Sequence, residues 1–533
     1  MKLAAQALPA NLRRSPLIVV GLAAVFAVAV YEAASYILAD NIVGLAYVAM
    51  AIALCALVIA ILNDWRQGLY LFIAWLLFED LARKYLGNNM VIYFAKDFLL
   101  LVVYISFLAA YRRKEVTGFR PPFLVPVLLF AWFGVIQVFN PGSTHIVYGL
   151  LGLKLFFYYV PLVFVGYALI NSEIELRRFF FVNLALAAII GALGIAQAIL
   201  GHTFLNPSSL AFEIRELSTL YRAASSGIAF YRPNSVFVST GRFGDFLLVS
   251  WLMIFGFAGY LLLRHKHGRT FIFCTLSLTA VAIALCSSRG VVLWGIGSVL
   301  IGGLAFVWGA PWRQREVVRV LRTVQRAAIG VALGITFLLF LFPEALLSRV
   351  AFYTETLSPA SSASQLQNRT WDYPVQNFLA AFSYERWPYG YGIGTTALGT
   401  QYVAKFFHAT PPVVGVESGF GTLVVEMGIG GLLLWFVMSF AIVLSAWHVV
   451  KKLRGSPWFP IAFIIFWYAG LLLFPITYAG MQAYQDYVLN AYLWLLLGIL
   501  FRLPTLAASA QFAAVQGGTQ SLQSPFPYHP WRR

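Results

Sequence analysis

Charge is what this chain has least of. Only 11% of its 533 residues are Asp, Glu, Lys or Arg, and the 20 acids are outnumbered by 37 basic residues. Soluble domains carry about a quarter charged residues, so a water-exposed globule is excluded. Cysteine is nearly absent as well. Cys55, Cys274 and Cys286 each fall inside an apolar run, which leaves no disulfide framework and no thiolate metal site. No Asp-rich or His/Cys motif with ligand spacing occurs, and the expectation is chemistry without metal or other cofactor. What fills the chain instead is apolar: 61% hydrophobic and 17% aromatic residues, arranged as one segment of membrane-spanning length after another. The fold class expected is all-α, a polytopic helical membrane protein.

Taking roughly 17–25 apolar residues per span gives about fourteen transmembrane segments. They are 16–38, 42–62, 68–79, 91–110, 122–139, 146–170, 179–200, 243–263, 270–287, 290–309, 328–343, 418–447, 458–477 and 486–503. Basic residues select one orientation. Arg13/Arg14, Arg66, Arg112/Arg113/Lys114, Arg177/Arg178, Arg264/Lys266/Arg269, Arg313 through Arg326, Lys451/Lys452/Arg454 and Arg502 all fall on one side, the cytoplasm, with both termini inside. The net charge of +17 is therefore largely topological, and nucleic acid is not an expected partner. The first run reads as a retained anchor rather than a signal peptide, being long for an h-region. The resulting divisions are 1–200, amino-terminal helices; 201–242, a first large external loop; 243–343, central helices; 344–417, a long external loop; 418–503, carboxy-terminal helices; and 504–533, a flexible cytoplasmic tail.

The charges on the other side carry more information. Arg83/Lys84, Lys96/Asp97, Lys154, Arg215, Arg222, Arg232, Arg242, Asp245, Arg289, Arg349, Arg369, Arg386, Lys405, Glu417 and Glu426 sit in external loops or the external halves of helices. They run against the positive-inside bias and need compensation. A diphosphate on a lipid carrier would supply it, because guanidinium forks match phosphate oxygens and stay charged. Structural readings compete at each position: Arg289 as a snorkelling interfacial arginine, Arg369 paired to Asp372, and Arg232 and Arg242 as loop braces. Lys96/Asp97 reads as an internal neutralising pair, with Glu32 or Asp97 as partner to Lys154. The long loop is expected to contain helical pieces such as Asn368–Phe382, followed by a glycine turn at Pro388–Thr395.

Four motifs in the carboxy-terminal half belong together: Ser287-Ser288-Arg289-Gly290 between two apolar runs, Asn368-Arg369-Thr370-Trp371, Gly390-Tyr391-Gly392-Ile393-Gly394-Thr395, and Val416-Glu417-Ser418-Gly419-Phe420 leading to Glu426-Met427-Gly428-Ile429-Gly430-Gly431. Together they resemble the signature region of the bacterial O-antigen ligase and O-antigen polymerase (Wzy-like) superfamily. Glu79-Asp80 through Lys84 and Lys96-Asp97 look like the amino-terminal half of its exopolysaccharide polymerases. The resemblance implies a GT-C-like fold and a metal-independent inverting glycosyltransferase facing the periplasm of the bacterial inner membrane. Its substrates would be undecaprenyl diphosphate-linked oligosaccharide and a glycan acceptor, with chain-length regulator or export proteins as partners besides the bilayer. It places Arg289 and Arg369 among the catalytic groups. Where ligases carry histidine this chain has Glu417, the expected general base, with His408 as the alternative; Glu426 is expected to be structural. Arg232, Arg242, Lys154, Gly392 and Gly394 are the expected diphosphate- and glycan-binding residues. Polymerase is the leading expectation, ligase the second, and a lipid-linked oligosaccharide flippase the alternative of another class.

Overall fold

The computed structural model describes residues 31, 32, 35, 36 and 42–521, except 211–214, 216–220, 224–226, 228, 265–266, 312–313, 362–363, 398, 411, 413 and 475–482. The chain falls into two compact units, Met1–Gly118 and Phe119–Arg533. The boundary lies inside the stretch read from the sequence as one block of amino-terminal helices. The expected first span, 16–38, lies almost wholly outside the described residues.

The first unit contains α1 (Ile42–Asn63), α2 (Trp65–Leu86) and α3 (Met90–Arg112). Short polar residues start the last two. Asp64 accepts from Arg66 N at 2.9 Å and Asn89 from Val91 N at 2.9 Å, each satisfying an orphan N–H of a first turn. The buried face of α2 runs from Leu69, Phe72, Ile73 and Leu76 into Glu79, Asp80, Arg83 and Lys84. Lys96 on α3 reaches Glu79 at 2.9 Å and lies 3.8 Å from the Tyr93 ring centroid. The expected Lys96–Asp97 pair is thereby corrected. Consecutive residues on a helix point in different directions, so the partner of Lys96 comes from the neighbouring helix.

The second unit runs α4 (Leu124–Val138), α5 (Ile146–Phe157), α6 (Leu162–Leu169), α7 (Glu173–Leu200), a hairpin of β1 (Tyr221–Ala223) and β2 (Ala229–Tyr231), α8 (Thr240–Arg264), α9 (Arg269–Leu285) and α10 (Arg289–Gly309). It continues with α11 (Gln314–Leu341), α12 (Pro343–Leu357), a π-helical turn at Asn368–Asp372, α13 (Tyr373–Ala380), α14 (Thr400–Phe407), α15 (Gly419–Lys452), α16 (Phe459–Leu473) and α17 (Tyr487–Ser521). The antiparallel hairpin, with Arg222 opposite Phe230, was not anticipated in an all-α chain.

The expected helices are present along the described residues, but the count of about fourteen spans is not reached by length and apolarity. Seven described helices meet both criteria, or eight if α11 and α12, bent by 116°, form one broken span. Ile52–Asn63, Leu124–Val138, Arg269–Leu285 and Phe459–Leu473 are apolar but short. The 68–79 run is the middle of α2, whose ends carry charges. A second departure is the expected tail. Helix α17 continues through Pro504 to Ser521, because Leu506, Ala507, Ala508 and Ala510 are strong helix formers beyond the proline; 522–533 lie outside the described residues.

Helix α8 is the most enclosed span, packed against α7, α9, α10 and α16. Helices α6 and α17 touch backbone to backbone. A Cβ at Gly166 would collide with the Leu495 carbonyl, and one at Gly498 with that of Val163, so small residues set this interface.

Candidate functional site

The loop after α7 is anchored by one buried amide. Gln197 Oε1 accepts from Asn234 N at 2.9 Å and Ser235 N at 2.7 Å, while its Nε2 donates to Asn234 Oδ1 at 2.9 Å and to Phe204 O at 2.8 Å. Tyr231 OH donates to the same Asn234 oxygen at 3.1 Å, and Ser235, at φ +50°, donates to Ile190 O at 2.8 Å. Asn234 and Ser235 are thereby held by the fold, and beside them stands Arg232. Its Nε is buried without a hydrogen-bond partner, although the residue is only 8% exposed. A guanidinium cannot shed its charge, so this is a costly placement.

The second component is the reversal between α9 and α10. Ser287 takes φ +57°, outside the usual range for a non-glycine residue, and turns the chain so that Arg289 opens α10. Its Nη1 donates to Gln365 Oε1. Gln365 is four residues ahead of Arg369, so the arginine at the helix junction is tied to the helical piece carrying the arginine of the long loop. The side chain of Arg369 itself lies outside the described residues; its backbone is in the π-helical turn, a local geometry frequent at functional sites.

Helix α12 supplies the third component. Arg349 donates from Nε to Leu285 O at 3.1 Å and from Nη2 to Tyr231 O at 2.8 Å, stitching the α9 end to the hairpin. Phe352 from α12 and Phe230 from β2 meet edge to face at 5.3 Å. Arg289 and Arg222 lie 5.3 and 5.9 Å from the Phe352 centroid, and Arg349 lies 5.3 Å from that of Phe230. Three arginines thus lie against one aromatic pair, and a fourth, Arg232, follows Phe230 by two residues. Burial lowers the pKa of Arg232 from its ordinary value, and the ionisable neighbours acting on it are Cys286 and Tyr353, a thiol and a phenol. The same two act on Arg349. Such an assembly can orient a multiply charged anion through several planar forks while phenyl rings shield it from water.

The other expected site residues divide. Arg289 lies against Phe352, and Arg232 follows strand β2, whose Phe230 meets that ring. Arg242 is not with them: it pairs with Asp486 at 3.0 Å and donates to Tyr487 OH at 3.1 Å, so its charge is answered inside the protein. Lys154 lies on α5 with its ammonium buried. Glu417 is exposed immediately before Ser418, whose hydroxyl caps α15 by accepting from Gly421 N at 3.1 Å. His408 is exposed at the end of α14 with φ +50°.

Gly392 and Gly394 have a structural explanation. At φ +103° and +84° they belong to a loop laced onto α15 by Tyr391 N to Val425 O at 2.8 Å, Gly392 N to Glu426 O at 2.9 Å and Ile429 N to Pro388 O at 3.2 Å. This clasp closes around Gly428, where α15 breaks at φ 69°. Opposite Gly394, a Cβ on Gly152 would sit 2.5 Å from Gly394 N, so two chains pass where no side chain fits. Glu426, fully buried, accepts from Thr396 N at 3.1 Å and Thr396 Oγ1 at 2.6 Å.

Sequence reasoning counted Arg222 and Arg349 among the uncompensated external charges without assigning them to the site. The signal was a lone arginine in an otherwise apolar stretch, Leu346-Leu347-Ser348-Arg349-Val350-Ala351-Phe352. No protein-family model matches the chain, and no curated protein does.

Proposed function

We propose that the chain polymerises lipid-linked glycan repeat units, as a metal-independent inverting glycosyltransferase of GT-C-like architecture at the periplasmic face of a bacterial inner membrane. One observation carries the reading: Arg222, Arg289 and Arg349 lie against Phe230 and Phe352, and Arg232, directly after strand β2, is buried with no hydrogen-bond partner at Nε. In a chain this poor in charge, such a cluster suits a ligand that brings its own negative charge. The donor is an undecaprenyl diphosphate-linked oligosaccharide, and the diphosphate lies among the guanidiniums. An acceptor sugar hydroxyl attacks the anomeric carbon. The bond to the phosphate oxygen breaks, and the charge that develops on the leaving diphosphate is met by fixed cations. The apolar spans described above support the membrane setting.

The test is incubation of purified protein with undecaprenyl diphosphate-linked repeat units. A ladder of glycans supports the polymerase. A single transfer to lipid A-core makes it a ligase, and carrier movement across vesicles without transfer makes it a flippase. Topology is checked separately in a cysteine-free background: Ser361→Cys and Gln314→Cys should react with membrane-impermeant thiol reagents from opposite sides. Labelling of both from one side would remove the periplasmic placement.

A further inference from the structure

We infer that one face of α11 holds an anionic phospholipid of the surrounding bilayer, with acyl chains along an apolar ridge and the phosphate on Arg322 and Arg326. Ile329, Leu333, Phe337 and Phe340 are all exposed. They recur at intervals of three and four residues, so they form one line along the helix. Other faces of the same stretch are packed. Ile335 and Leu339 lie on Ala198, Val281, Leu285 and Leu346, and a Cβ at Gly330 would meet the Phe273 ring at 2.5 Å. Continued toward the start of α11, the same intervals reach Arg326 and then Arg322, both exposed and both without a hydrogen-bond or ion-pair partner among the described residues. The backbone register puts Arg319 and Arg315 on that line too, and Glu316, the one acid in α11, off it. A single face of the helix thus passes from apolar to cationic.

Length sets the depth of each part. With about 1.5 Å of rise per residue, the ridge from Ile329 to Phe340 runs about 17 Å along the axis, close to the hydrocarbon depth of one leaflet, roughly 15 Å. Arg326 then lies about 5 Å beyond the ridge and Arg322 about 10 Å beyond it, at the level of headgroup phosphates. A guanidinium there grips phosphate oxygens as a fork. Basic residues at a helix end orient a span whatever face they occupy. What selects a lipid is their alignment with the exposed ridge, because one molecule with an apolar tail and an anionic head matches both parts of the line.

The experiment attaches a fluorophore at Leu333→Cys of the full-length protein in a cysteine-free background. The labelled protein is placed in phosphatidylcholine vesicles that contain a small fraction of lipid with brominated acyl chains. Bromine quenches on contact, so the label reports the lipid lying on the ridge. Brominated phosphatidylglycerol should reach half-quenching at about a 5–30-fold lower fraction than brominated phosphatidylcholine, the range for one to two interfacial arginines. Arg322→Gln/Arg326→Gln should remove that preference. Lys451→Gln/Lys452→Gln, at exposed positions ending α15, should leave it intact. Equal quenching by the two lipids with both arginines present overturns the proposal, and this comparison decides even where the glutamine variant fails to insert. A preference that survives in the glutamine variant overturns it, as does an equal loss in the lysine variant, which would make the preference a matter of total charge. Quenching by neither lipid overturns it too, and crosslinking of copies through the introduced thiol would then assign the ridge to a second chain. Lipid contact is read here without glycan transfer, so the result is independent of the function proposed above.

Discussion

Buried cations in this protein are compensated in two ways. In the amino-terminal unit Lys96 meets Glu79 at 2.9 Å and Arg83 meets Asp80 at 3.1 Å; in the other unit Arg242 meets Asp486 at 3.0 Å. Around Phe230 and Phe352 the described contacts include neutral groups: carbonyls for Arg349, the Gln365 amide for Arg289, and ring faces for Arg222, Arg289 and Arg349. A carboxylate cancels a positive charge. A carbonyl or a ring face orients the cation and leaves most of its field in place. The first arrangement cancels the charge within the fold, and the second is the one that the function proposed above would use for an anion.

Three substitutions bear on this contrast. The largest effect is expected for Lys96→Met, which leaves Glu79 buried and uncompensated. The amino-terminal unit should lose about 3–5 kcal/mol, and a second change, Glu79→Leu, should recover most of it. Thermal unfolding in detergent measures both, and an unshifted transition in Lys96→Met would break the structural half of the comparison. Arg232→Gln comes next. It should weaken carrier diphosphate binding by about 2–5 kcal/mol while the unfolding temperature stays near that of the parent, since this guanidinium holds no described group in place. The smallest is Arg349→Lys, which retains the charge but not the fork that spans Leu285 O and Tyr231 O. A stability loss of about 1–3 kcal/mol with partial retention of binding would sharpen the distinction between orienting a cation and neutralising it.

The membrane helices were legible because apolar length is a local property. A run of apolar residues buries its own backbone polar groups by becoming helical, whatever its neighbours are. The helical piece beginning at Asn368 was legible for a similar reason, since a long unstructured connection in a compact chain is rare. Arg232 and Arg289 were legible as charges against the positive-inside pattern, but their surroundings, Phe352 for Arg289 and the end of strand β2 for Arg232, were not. Lys96 shows where local reading stops. Its neighbour in sequence was the expected partner, but a residue on the next helix provides the carboxylate. The glycines at 392 and 394 show the same limit: their backbone conformation was readable, and the crossing chain that demands it was not.

By itself the sequence determined the apolar setting, the helical character and the surplus of positive charge. These depend on composition and on spacing within a segment. Only the tertiary structure decided which charge meets which. Arg349 and Tyr231 are 118 positions apart, Arg289 and Gln365 are 76 apart, and Arg242 and Asp486 are 244 apart. Contacts of that range arise from how helices pack and loops close, and no local periodicity encodes them.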